Sequence, residues 1–267
     1  MSVALAFLRR DFSLAISYRT SFVFQFLGIF FGVATFYFVA QVFGQAVSPQ
    51  LQAYGGDYFS FVLIGLAFSG FTGLALKSFA GAIREGQTMG TLELMLLSPT
   101  RLGSILLSSS LWDYLLNCFN VMAYLLFGAL VFGADLSHAD VLSALLVLVL
   151  SILAFSGIGI ISAAFVLVLK RGDPVAWAFG SVQALLAGVM YPVSVLPDIL
   201  QRFSSLLPLT YSLEAMRLAV LKGYSVIELL PQILTLIVFT VVLLPLSLWI
   251  FRRAVKQAKK EGSLAQY

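Results

Sequence analysis

The chain has 267 residues, of which 60% are hydrophobic and only 10% are Asp, Glu, Lys or Arg, and its mean hydropathy is +1.00. A soluble domain carries about a quarter charged residues, so a soluble enzyme is excluded and the bilayer is the solvent against which the sequence is read. The net charge is +4; one cysteine (Cys118) excludes an intrachain disulfide, and one histidine (His138) leaves little room for imidazole catalysis or a multi-histidine metal site.

The amino-terminal stretch 1–19 does not read as a signal peptide, because its charges follow the short apolar run instead of preceding it. Leu5, Leu8, Phe12, Ala15 and Ile16 recur at helical spacing, with Arg9, Arg10 and Ser13 opposite. Two readings fit: an interfacial helix lying on the membrane, or a basic flank that anchors the first span. Six segments meet or approach the roughly 20 apolar residues of a membrane helix. They are Thr20–Phe43, Tyr58–Leu76, Ser104–Phe132, Val141–Leu169, Val175–Val193 and Leu229–Phe251.

Of the 16 Lys and Arg residues, thirteen fall on one side of this arrangement, in the amino-terminal stretch, two connections and the tail 252–267. Both termini are therefore expected in the cytoplasm. The outer loops Gly44–Asp57 and Gly133–Asp140 carry no motif. His138 with Asp135 and Asp140 is a weak metal candidate at best, and no metal site is assigned.

Two connections carry more. The cytoplasmic stretch Lys77–Arg101, KSFAGAIREGQTMGTLELMLLSPTR, is too polar to span, yet Leu92, Leu94, Met95, Leu96 and Leu97 give it an apolar surface. Ser98-Pro99 is a helix stop. Such a helix either docks on a partner or rests on lipid. The outer stretch between the fifth and sixth segments is cut by Pro192, Pro197 and Pro208 into Ile199–Leu207 and Tyr211–Lys222, both too short to cross. A pair of short helices dipping into the outer leaflet accounts for the length and apolarity; a surface cap is the alternative.

Inside the third segment, Asp113, Asn117, Asn120 and Tyr124 share one helical stripe. Ionisable groups at membrane depth are functional candidates, so the stripe lines a substrate path or subunit interface, or else it hydrogen-bonds helices within one subunit. Gly28/Gly32 and Gly180/Ala184/Gly188 repeat small residues at four-residue spacing, which permits close helix approach. No G-x4-G-K-(S/T) phosphate loop occurs in the sequence, and Gly157 and Gly159 read as packing glycines within a span.

The stretch REGQTMGTLELMLLSPT resembles the E-x4-GTLE-x-LL-x-(S/T)-P segment of permease subunits of type 2 ATP-binding-cassette exporters, with Glu85, Gly90, Thr91, Leu92, Glu93, Leu97, Ser98 and Pro99 matching. YPVSVLP followed by LPLTYSLEAMR, which holds Glu214 and Arg217, resembles the segment before that family's last span. The likeness covers essentially the whole chain. It implies a single all-α permease domain over 1–267: an interfacial helix 1–19, a six-span core 20–251 with two re-entrant outer helices, and a basic tail. It also implies a non-catalytic chain, multi-pass in the inner membrane, that pairs with a second permease and a cytoplasmic ATPase dimer. The Glu85–Ser98 segment is then the coupling helix, and ATP and Mg belong to the partner. No cofactor on this chain and no nucleic acid are implied; membrane lipid is the remaining partner. A stand-alone secondary carrier or channel is the alternative, though such carriers usually show several intramembrane charges and repeated halves.

Overall fold

A computed structural model describes residues 3–17, 19–88, 102–169 and 173–260, and every regular element among them is a helix. In chain order these are α1 (Val3–Ser17), α2 (Arg19–Val47), a 3-10 turn (Ser48–Tyr54), α3 (Tyr58–Thr88), α4 (Leu102–Leu130), α5 (Val141–Leu169), α6 (Pro174–Leu186), a 3-10 turn (Val193–Val195), α7 (Asp198–Ser204), α8 (Pro208–Lys222) and α9 (Leu230–Lys260). Of these, α2, α3, α4, α5 and α9 are long and apolar enough to cross a membrane.

Helix α5 starts where its hydropathy predicts. Asp140 starts it by accepting from the amides of Leu142 (3.0 Å) and Ser143 (3.2 Å), a helix N-cap. It is the centre of the bundle, held between α3 and α9. Gly157 and Gly159 set those contacts, since a Cβ on Gly157 would lie 2.8 Å from Leu243 Cβ and one on Gly159 would meet the Ala75 carbonyl and Phe79 Cδ2 at 2.7 Å. Both are packing glycines, as their sequence context suggests. Phe71, Phe79, Phe155, Leu167 and Phe251 are fully buried in the resulting core.

The main departures from the sequence reading are at three helix ends, one being that of α9, which runs past the expected Phe251 to Lys260. Helix α3 does not stop at Leu76 but continues for 12 residues to Thr88, about 18 Å further. The extension is amphipathic: Lys77, Arg84, Glu85 and Thr88 are exposed on one stripe, while Phe79, Ala80, Ile83 and Gln87 are buried. The fifth segment, expected as a helix over Val175–Val193, is the 13-residue α6, about 20 Å long. Asp173 caps α6 through the Ala176 amide and Pro174 occupies its first turn. It ends where Gly188 adopts φ 74°, a backbone state open to glycine and poor for other residues.

The register of contacts fixes the direction of each helix. Ser78 meets Asp113, Gly70 faces Asn117 and Gly128 meets Leu63, so α3 and α4 are antiparallel. Gly157 against Leu243, with Val168 and Leu169 beside Arg253 and Ala254, makes α5 and α9 parallel. The chain between two parallel helices has to return along the bundle. It does so through α6, α7 and α8, because the Asp140 amide at the start of α5 donates to the Ala219 carbonyl near the end of α8 at 3.0 Å.

The short loops 44–57 and 133–140 prove structured. Leu51 of the first 3-10 turn is fully buried against Phe61 and Val62. The 133–140 loop docks on the end of α8, where Gly223 (φ 69°) sits so close to the His138 carbonyl that no Cβ fits. Helix α1 packs against α4, with the Phe12 and Trp112 rings edge to face at 5.6 Å.

Candidate functional site

Three groups of residues were singled out by sequence, and the structure places them at three depths of the bundle. Glu85 is exposed on the last described turn of α3, where its carbonyl accepts from the Thr88 hydroxyl at 3.0 Å. Gly90, Thr91, Leu92, Glu93, Leu97, Ser98 and Pro99 lie outside the described residues. What the fold contributes is the helix that leads into them, continuous from Tyr58 to Thr88.

The polar stripe of α4 faces α2 and α3 of the same chain. Ser78 Oγ donates to Asp113 Oδ2, and Gln25 Nε2 donates to Asn120 Oδ1 at 2.8 Å. Asn117 is buried against α3, where a Cβ on Gly70 would lie 3.2 Å from its Oδ1. Its amide nitrogen makes no hydrogen bond among the described residues. The Tyr124 hydroxyl approaches the position a Cβ would take on Gly32 of α2 (3.9 Å). Beside the stripe, Tyr114 and Ser156 share a buried 3.0 Å hydrogen bond between α4 and α5.

The re-entrant segment is the most tightly specified. Helices α7 and α8 replace the expected pieces Ile199–Leu207 and Tyr211–Lys222, with Pro197 directly before α7 and Pro208 at the first position of α8. Pro192 precedes the 3-10 turn. Glu214 accepts from Gln232 Nε2 of α9 at 3.3 Å. Arg217, counted from sequence as an outer-loop cation, is instead 3% exposed. Its guanidinium donates to three carbonyls: Nε to Phe61 (3.2 Å), Nη1 to Gly188 (2.9 Å) and Nη2 to Val189 (2.8 Å). Its central carbon lies 3.4 Å from the centroid of the Phe61 ring, a cation over an aromatic face.

This arrangement answers a physical requirement. A helix that stops at membrane depth frees carbonyls that water cannot reach, and they have to be satisfied by protein. Arg217 supplies the donors, and the planar guanidinium offers several in one fork. Gly65 makes the room, because a Cβ there would collide with the Val189 carbonyl and lie 2.6 Å from Nη2. The sequence signal was present but unused. Arg217 shares a helical face with the buried Leu213, Met216 and Val220, and an arginine on an apolar face is a buried one seeking acceptors.

Outside the spans, burial pushes the Tyr54 phenol up, and the nearby Glu214 carboxylate adds to that shift. The Asp135 carboxyl is held below its usual range by the hydroxyl and amide of Ser137, and Glu228 likewise by the amide and hydroxyl of Ser225. Asp140 is engaged in capping α5, and His138 Nδ1 pairs with Ser137 Oγ at 3.1 Å. Among the described residues no group of three or more His, Cys, Asp or Glu stands close enough to hold a metal ion.

A bundle of long apolar helices, interrupted by short helices whose freed backbone is satisfied internally, defines a multi-pass membrane protein. The model of the ABC-2 type transporter family matches residues 4–221, and the chain belongs to that family. It is the membrane-embedded permease component of an ATP-binding-cassette transporter, a component that is itself non-catalytic and works with a nucleotide-binding subunit. No curated protein matches the chain.

Proposed function

We propose that this permease is half of an ATP-driven exporter: two copies, or one copy and a homologous chain, form the substrate path and are moved by a dimer of cytoplasmic ATPase subunits in the inner membrane. Both termini are cytoplasmic, and the fifth of six crossings is the segment Val175–Val193, which holds α6. ATP and Mg are bound by the partner. The chain acts as a single domain over 1–267, with α1 at the interface and the tail 252–267 basic. The observation that carries the reading is the course of α3. Its buried half packs on α4, α5 and α8, and its exposed stripe leads straight to the segment 85–99, so force applied at that segment reaches the core along one helix.

Glu93 offers a charge for a basic partner, and removing one member of a desolvated ion pair costs about 2–5 kcal/mol of association. Glu93→Arg is therefore expected to abolish substrate-stimulated ATP hydrolysis and transport while leaving membrane insertion intact, and charge reversal on the ATPase groove should restore part of both. Transport at the parent rate with the ATPase still bound would refute the coupling role. Orientation is checked separately with single cysteines in a Cys118→Ala background. Those at Gln52, Ser137 and Ser205 should react with an impermeant thiol reagent outside, and one at Thr88 should react only after the membrane is opened.

A further inference from the structure

At the end of the bundle away from Arg217, a groove of about 280 Å³ runs along the packed seam of α5 and α9, floored by the buried Ala164 and Ala254 and walled by Phe165, Val168 and Leu169 of α5 and by Trp249 and Ile250 of α9. Arg253 stands in this groove with its guanidinium carbon 3.9 Å from the centroid of the Trp249 ring. Helix α9 holds no Asp or Glu, and residues 252–260 carry Arg252, Arg253, Lys256, Lys259 and Lys260. The walls match an acyl chain. A guanidinium spread on an aromatic face keeps its edge free for a phosphate, which it binds by paired N–H donors. Basic recesses between spans at the cytoplasmic face take anionic headgroups.

We propose that the α5–α9 groove binds one anionic phospholipid, with an acyl chain along Phe165, Val168 and Ile250 and the phosphate on Arg253. The positive charge of the helix end excludes cationic occupants and favours this lipid over a zwitterionic one. Only the assignment to the inner leaflet rests on the orientation proposed above.

The test uses the full chain in phosphatidylcholine vesicles, with Trp112→Phe and Trp177→Phe leaving Trp249 as the single fluorophore. Phosphatidylglycerol brominated in its acyl chains is expected to quench Trp249 with an apparent affinity about fivefold above that of brominated phosphatidylcholine, the ratio that one engaged cation supplies. Arg253→Gln should bring the ratio near one. Arg252→Gln, which removes a charge outside the groove, should preserve it. Native mass spectrometry of the chain with its tryptophans intact should show the same preference, which guards against a folding defect of the fluorescence variant. Equal quenching by the two lipids overturns the proposal, as does an equal loss in the Arg252 and Arg253 variants, which would mean a diffuse field. Displacement by inorganic phosphate would make it a site for a free anion, and shielding of Trp249 from both lipids would make it a protein contact; either result overturns it. Labelling of Lys260→Cys from outside would refute the orientation and leave the lipid preference standing.

Discussion

Helices α2 and α3 hold apolar stretches of the same mean hydropathy, 2.0, yet 11% of the first is buried and 72% of the second. In water, equal hydropathy would mean equal pressure to be covered. In a bilayer the tails are as apolar as the side chains, so what buries a helix is close packing and polar contact. Helix α3 has small or hydroxylated residues at Ser60, Gly65, Gly70, Thr72 and Ser78, and each except Gly70 is buried or sits where a neighbour leaves no room for a Cβ. Helix α2 presents Phe24, Phe31 and Phe38 outward, and Gly28 faces open space.

The contrast is sharpest at Arg217. Arg217→Leu leaves the Gly188 and Val189 carbonyls without their donor, and at about 1–3 kcal/mol for each orphaned group the loss should exceed about 2 kcal/mol. Denaturation by titrated detergent should show it, and Arg217→Lys should rescue little because one ammonium cannot reproduce the fork. Next is Gly65→Ala, where overpacking is expected to cost about 1–3 kcal/mol, read as a lower melting temperature of the purified chain. Asp113 should matter less. Asp113→Leu removes one bond between α3 and α4, near 0.6 kcal/mol, and should weaken assembly slightly in size-exclusion profiles. Asp113→Asn should keep assembly, and loss of transport in that variant would assign the charge to the substrate path. The smallest effect belongs to Gly28→Ala, expected to lie between neutral and a gain of about 1 kcal/mol from helix propensity. A cost there equal to that at Gly65 would mean α2 is covered by another subunit, and the comparison would fail.

The same physics explains which features were legible in the sequence. The start of α5 was placed correctly because an unbroken apolar run begins at a capping Asp. The end of α6 was hidden because Val189, Met190, Tyr191 and Val193 keep the hydropathy high after Gly188 has turned the chain. The extension of α3 was hidden for the opposite reason, since Lys77, Arg84 and Glu85 suggested a connection while Phe79 and Ile83 continued the buried face. The prolines located α7 and α8 within a few residues, because each bars helix continuation at a definite place. Arg217 and Gly65 became partners only in three dimensions, being 152 positions apart.

Helix α8 is fastened at two levels: Arg217 ties its middle to α3 and to the break after α6, and the Ala219 carbonyl and Gly223 tie its end to the loop that begins α5. A rod pinned at two points cannot swing. Any displacement that reaches α3 is therefore passed on to α8 and to the outer end of α5 without slack. Helices α3 and α8 and the start of α5 therefore form one block, on whose rim α2 rests with few ties.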